Sequence, residues 1–203
     1  MHAILIHGMG RTPVSMLILA VRLRIAGIHP HFFAYCSAFE RWEACVSRLE
    51  KSIHQHRDKD FIIIGHSLGT VLIRGVLPKL THKPIACFFL APPTKACAAA
   101  QKFAHLRLYK LLTGEMGQLL TQPSFMDTLP LPDVPTKIYA GINGPSGHHS
   151  PFGEQLNDGV LTIEETVLRA IPHETVTALH TFIMNKKVVA EDIVKLVDSM
   201  KLN

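Results

Sequence analysis

The chain has 203 residues, 47% of them hydrophobic and 18% charged, with a net charge of +5. That is enough polypeptide for one domain-sized core, and too apolar for a disordered chain. With 13 glycines and 13 prolines, collagen-like and low-complexity architectures are excluded as well.

Short apolar runs alternate with helical patterns along the chain. Residues 3–6 read as a buried strand, and Pro13 opens a helix that carries Val14, Leu17, Ile18, Val21 and Ile25 and closes at Gly27. Residues 31–35 form a second strand candidate. Residues 40–54 read as a helix with Trp42, Cys45, Val46, Leu49 and Ile53 on one face. The run 61–64 is short, continuous and largely β-branched, which marks a fully buried strand. A helix over 68–77, stopped by Pro78, follows it. Further strands are expected over 85–90, 136–140 and 175–179. The last helix, 188–200, turns Val189, Ile193, Val194, Val197 and Met200 inward.

Strands alternating with helices imply βαβ units, and continuous apolar strands imply a sheet covered on both faces. The expected fold is a three-layer α/β/α sandwich with a mostly parallel sheet of about six strands. A single domain is expected over 1–203, with an insertion at about 95–132 that breaks the short-connection rule. It holds an Ala-rich run (95–104, with 98–100 inside a helical pattern), a Leu/Met-rich segment (106–120) and a Pro-punctuated loop. It reads either as a small lid or wall of an apolar pocket, or as a covering helix with a long return loop.

The strongest chemical signal is Gly65-His66-Ser67-Leu68-Gly69, placed between the strand at 61–64 and the helix from 68. A reversal that sharp strains the central residue and lifts its side chain above the sheet, while glycines on either side let strand and helix approach. The pentapeptide alone is common; its place between strand and helix gives it meaning. The other reading is a serine that merely caps the helix. Earlier in the chain a strand runs into His7-Gly8-Met9-Gly10. Pro13 stands where a dinucleotide fingerprint needs glycine, and no GK[ST] follows, so nucleotide binding is not expected.

With these two motifs the chain resembles the α/β-hydrolase superfamily, specifically small lipases and esterases, over almost its whole length. The resemblance implies an oxyanion hole made by the backbone N–H groups of Met9 and Leu68, each worth about 3 kcal/mol. It implies that His7 orders its loop and that His66 packs beside the nucleophile. It also implies that the antiparallel strands leading larger members are missing, and that residues 106–126 shape acyl specificity.

A serine hydroxyl needs a histidine base and an acid that orients it, in the order Ser, acid, His for this fold. Reactive groups of open α/β sheets gather at the carboxyl ends of strands. Asp133 precedes the strand at 136–140, and Asp192 and Asp198 lie in the last helix. Asp158, in Asn157-Asp158-Gly159-Val160, is the expected acid; that stretch also resembles the acid segment of lipases and equally suits a plain turn. Glu154 is the reserve. His180, directly after the last strand, is the expected base. His173 lies on the other side of that strand, His82 on a surface turn, and His148 and His149 before the acid.

The expected activity is therefore a serine hydrolase cleaving carboxylic esters through Ser67, His180 and Asp158, acting on a small-molecule ester or lipid-like substrate. A thioesterase, acyltransferase or amidase on the same triad, and a non-catalytic binding protein on a hydrolase scaffold, stay open. No cofactor is expected. No metal site is expected either, because there is no HExxH and no Cys/His pair at zinc spacing, and His54-Gln55-His56 reads as an exposed helix end. Scattered basic residues without an aromatic-interleaved arm argue against a nucleic-acid partner, although adsorption to anionic membrane surfaces stays possible on charge alone. No run reaches the roughly 18 apolar residues of a membrane span, so no stable membrane insertion is expected. The opening residues lack the pattern of a secretory leader. Cys36, Cys45, Cys87 and Cys97 have neither CxxC spacing nor a disulfide framework, which suits reduced thiols and a cytoplasmic location. Oligomeric state is not written in these residues.

Overall fold

Every residue of the run Phe61–His66 is buried, so this strand has no solvent side and must lie inside a sheet. The computed structural model describes residues 1–97, 101, 105–148 and 150–201. Six strands, β1 (His2–Ile6), β2 (His29–Phe33), β3 (Phe61–His66), β4 (Ala86–Leu90), β5 (Thr136–Gly141) and β6 (His173–Val176), form one sheet. Its order is β2-β1-β3-β4-β5-β6, and each neighbouring pair is parallel. The α/β architecture and the strand number agree with expectation.

Alternate strand residues feed two separate cores. Ile4, Ile6, Ile63, Cys87 and Phe89 face α2 (Trp42–His54) and α3 (Leu68–Val76). Ala3, Leu5, Ile62, Ile64, Phe88 and Leu90 face α1 (Leu17–Ile25) and the last helix, Lys187–Lys201. The inward face of α2 is the expected one, with Trp42, Cys45, Val46, Leu49 and Ile53 all buried. The last helix buries Val189, Ala190, Ile193 and Val197, with Val194 and Met200 partly covered.

Three expectations are corrected. The stretch after Pro13 is a 3-10 turn over Pro13–Met16, and only then α1. The residues α1 buries are Leu19, Ala20 and Leu23, joined by Met16, whereas Val14, Leu17, Ile18, Val21 and Ile25 are exposed. This helix is apolar nearly all round, so its periodicity marks no single face. Both edge strands begin two residues earlier than expected, β2 at His29 and β6 at His173. Edge strands tolerate polar residues and proline because one side is wet, so His29, Pro30, His173 and Glu174 hid their starts. His29 N–H donates to Met1 O at 3.0 Å, so the following residue, Pro30, stands where an N–H would point away from β1. Finally, α3 ends at Val76 and tightens into a 3-10 turn, Leu77–Lys79, that contains Pro78.

The segment after β4 packs on the α2/α3 side. Residues 98–100 and 102–104 of its Ala-rich run lie outside the described residues. Beyond them come α4 (Arg107–Leu119), broken at Gly114, and α5 (Pro123–Thr128). Gly114 has φ of 62°, and a Cβ there would sit 2.6 Å from the carbonyl oxygens of both Ser37 and Ala38. Met116, Leu120 and Met126 are buried, and Phe125 meets Trp42 edge-on at 5.0 Å. Arg74 of α3 donates to the carbonyls of Leu129 and Pro130, holding the return loop. The last helix of the fold, Lys187–Lys201, is numbered α6.

The two faces of α1 predict opposite responses. Leu23→Ala, at a fully buried position, is expected to cost about 2–5 kcal/mol in urea unfolding. Ile25→Ala, at an 82% exposed position, is expected to stay within about 0.5 kcal/mol of the parent. Equal losses would mean that α1 is rotated from the face described.

Candidate active site

The elbow after β3 is set by steric crowding. Ser67 has φ of 50° and ψ of −120°, a left-handed conformation that costs a non-glycine residue roughly 1–3 kcal/mol. Its backbone is held at both ends: Ser67 N–H donates to Leu90 O at 2.9 Å, and Thr70 N–H and Oγ1–H donate to Ser67 O at 2.9 and 2.7 Å. A Cβ on Gly65 would lie 2.8 Å from Gly69 C and Thr70 N. One on Gly69 would lie 2.5 Å from Ile6 O and 2.8 Å from His7 O. One on Gly8 would lie 2.7 Å from His66 Nδ1 and 3.2 Å from Ser67 Cβ. Strand, helix and the His7–Gly8 loop thus meet at distances that only glycine permits. Met9 directly follows that contact. Leu68, as the first residue of α3, has an N–H with no carbonyl a turn earlier in the helix to accept it.

Ser67 Oγ lies 3.0 Å from His180 Nε2, and His180 Nδ1 lies 2.7 Å from Asp158 Oδ2. The three residues come from the loop after β3, the loop after β5 and the 3-10 turn after β6, all at the carboxyl edge of the sheet. Asp158 and His180 are buried, and Ser67 is partly exposed. The second carboxylate oxygen, Asp158 Oδ1, accepts from the Val160 and Leu161 amides at 2.9 and 2.7 Å. With Nδ1–H donating to the carboxylate, Nε2 is left as the acceptor that faces the serine hydroxyl.

The acid loop is itself braced. Buried Asn157 donates through Nδ2 to Pro145 O and Gln155 O, both at 2.9 Å, and its Oδ1 accepts from Gly159 N–H at 2.9 Å. His180 is braced through its backbone: its N–H donates to Asp158 O at 2.9 Å, and His66 Nε2–H donates to its carbonyl at 2.9 Å. His66 therefore does more than pack. His7 donates through Nδ1 to Gly8 O at 2.9 Å, stacks on Tyr35 at 4.3 Å, and its carbonyl accepts from Tyr35 Oη at 2.8 Å. It orders its loop without reaching the serine. Sequence reading missed Asn157 and Tyr35. The Asn-Asp-Gly turn signal was available for the first; nothing marked the second.

The remaining candidates lie apart from this chain of bonds. Glu154 is exposed. Asp133 pairs with Lys83 at 3.1 Å, and Asp192 bonds Lys137 and Tyr139 Oη. His173 bonds Thr166 at 3.1 Å, and His82 is exposed beside Phe61. His149 lies outside the described residues.

Burial holds the pKa of His66 well below the usual histidine range, with the neighbouring His180 pushing the same way, and burial lowers His7 too. The unfolded chain therefore takes up protons that these folded imidazoles refuse, so stability is full above about pH 6.5 and falls as the pH drops below it. The urea midpoint is expected to be lower at about pH 5 than at about pH 7.5, and less so in His66→Asn. An equal drop in parent and variant would remove His66 as a source.

No family model and no curated protein matches the sequence. Solved structures do. The mature form of Bacillus licheniformis lipase BlEst2 superposes with a TM-score of 0.77 at 17% identity, over 96% of this chain and 91% of that one. A thioesterase of prodiginine biosynthesis from Streptomyces coelicolor gives 0.62 at 14% identity, over 98% and 85%. An extracellular α/β-hydrolase from a Paenibacillus species gives 0.64 at 16%, over 98% of each chain. The parallel sheet, its strand order and these superpositions agree: the chain has the α/β-hydrolase fold.

Proposed function

We propose that this protein is a serine hydrolase of carboxylic esters. The observation that carries the reading is the unbroken chain from Ser67 Oγ through His180 to Asp158, at 3.0 and 2.7 Å, with the serine held at positive φ. Ser67 Oγ attacks the acyl carbon while its proton passes to His180 Nε2. Asp158 keeps the resulting imidazolium oriented and compensated. The charge on the tetrahedral oxygen falls to the amides of Met9 and Leu68. His180 then returns the proton to the leaving alkoxide, and water, activated by the same imidazole, releases the acid from the acyl-enzyme.

The segment 106–126 is proposed to set acyl preference. Its break at Gly114 rests on Ser37 and Ala38, and Ser37 Oγ accepts from Gly10 N–H at 3.3 Å in the His7–Gly8 loop. Leu108, Leu111, Leu112 and Phe39 are exposed around that contact. Among the described residues no helix is long and apolar enough to cross a membrane, and no disulfide forms. Buried Cys45 and Cys87 suit a reducing, cytoplasmic setting.

The deciding measurement is turnover of p-nitrophenyl esters from acetate to palmitate, repeated with thioester and anilide analogues of the preferred chain. Ser67→Ala is expected to lower kcat by at least about 10³-fold, and Asp158→Asn by roughly 10³–10⁴-fold. Activity that survives in Ser67→Ala would overturn the assignment of the nucleophile. A faster thioester or anilide would move the reading to those substrates.

Asn157 offers a finer test. Asn157→Ala leaves all three reacting side chains in place but frees the acid loop, and is expected to cost about 10- to 100-fold in kcat with little change in KM. An unchanged kcat would show that the amides of Val160 and Leu161 suffice to position Asp158.

A further inference from the structure

At the opposite edge of the sheet four histidines gather from three separate stretches of chain. His2 begins β1 and pairs in register with His29 of β2, so their side chains leave the same face, and His31 follows on that face two residues later. His56 comes from the turn after α2. That turn is fixed by His56 N–H donating to Ile53 O at 2.9 Å and Lys59 N–H donating to His56 O at 3.0 Å. His2 is tied by its N–H to Asp60 O at 3.0 Å. The rings of His2 and His31 stack at 4.9 Å, those of His31 and His56 lie 4.3 Å apart, and those of His2 and His56 5.6 Å.

One ring nitrogen from each of His2, His31 and His56 falls within 4.8 Å of the other two. Nδ1 of His2 and Nε2 of His31 are 2.7 Å apart. Two nitrogens bound to one tetrahedral zinc at 2.0–2.1 Å lie about 3.3 Å from each other. The 2.7 Å pair needs to open slightly and the third nitrogen already lies within 4.8 Å of both, so small rotations of three partly exposed rings suffice to meet it. We propose that His2, His31 and His56 form a binding site for one divalent transition-metal ion, zinc foremost, which clamps edge strand β2 to β1 and to the end of α2.

Three imidazoles and no carboxylate select zinc, copper or nickel over magnesium and calcium. Water fills the fourth position, or His29, whose ring is 5.4 Å from that of His2. Burial and the nearby Lys59 lower the pKa of His2 to about 4; the same two influences lower that of His56, and burial, His56 and Lys59 lower that of His31. The rings are therefore neutral ligands at neutral pH. Lys59 also opposes the arriving cation and sets the affinity below what three histidines alone would give. His2 is level with Phe61, six residues before Ser67, which places the ion about 20 Å from the serine. It is structural, and the reaction proposed for Ser67 does not involve it.

The test uses the full-length protein without a polyhistidine tag, titrated with zinc chloride alone against a chromogenic chelator and followed by thermal unfolding. The expected result is one zinc per chain and a midpoint raised by about 5–10 °C at a hundredfold excess over Kd. His31→Ala and His56→Ala should each weaken binding at least about tenfold, while His82→Ala and His180→Ala leave it unchanged. Lys59→Gln should tighten it severalfold, a gain that no folding defect can imitate. Stoichiometric binding that survives in the His31→Ala/His56→Ala pair, or no binding below about 10 μM zinc, would overturn the site.

Discussion

Three stretches of backbone cross closely at the end of β3, and the reaction proposed for Ser67 depends on that crossing. Gly65, Gly69 and Gly8 stand where a methyl group would meet another backbone or the ring of His66. That crowding leaves Ser67 at φ of 50°. The strain is stored locally and met by three hydrogen bonds, one from the serine amide and two to its carbonyl. The result is a hydroxyl raised above the sheet edge beside the Leu68 amide that opens α3. Its neighbour on the other side is the loop ordered by His7 and Tyr35.

Ser67 is held through its own backbone, whereas Asp158 and His180 hold each other. Asp158 and His180 share two contacts, one between side chains and one between main chains, so a shift of either loop moves both partners. His66 closes the circuit: it neighbours Ser67 in sequence and donates to the carbonyl of His180. A neutral, deeply buried imidazole suits this role, because it can donate one hydrogen bond without bringing a second positive charge toward His180.

Legibility from the sequence followed burial. Where a segment is covered on one defined face, as in α2, or on both, as in β3, residue type alone placed it within two positions. The elbow was readable because its glycines and its strand–helix setting are local. The order of serine, acid and histidine along the chain pointed to Asp158 and His180, which the structure brings within bonding distance of each other and of Ser67. Legibility failed at the margins. The edge strands β2 and β6 start with His29-Pro30-His31 and His173-Glu174, which carry no apolar signature, and α1 offers two apolar faces of which only one meets the sheet. The histidine cluster was invisible for another reason. His2, His31 and His56 are spread over more than fifty residues and are united only by strand pairing and the return of α2, so no spacing rule could find them.

Pro30 has a further effect on how copies of this chain behave in concentrated solution. In a parallel ladder alternate residues bond to the same neighbour. His29, His31 and Phe33 therefore spend their amides on β1, and only Pro30 and Phe32 face outward. Proline has no amide to give, which leaves Phe32 as the one outward donor within β2. An incoming strand could not zip along an edge so depleted, although the apolar side of α1 beside it invites collision. Encounters on this flank are limited to reversible side-chain contact, and the route from sticky surface to continuous intermolecular sheet is closed by one imino acid.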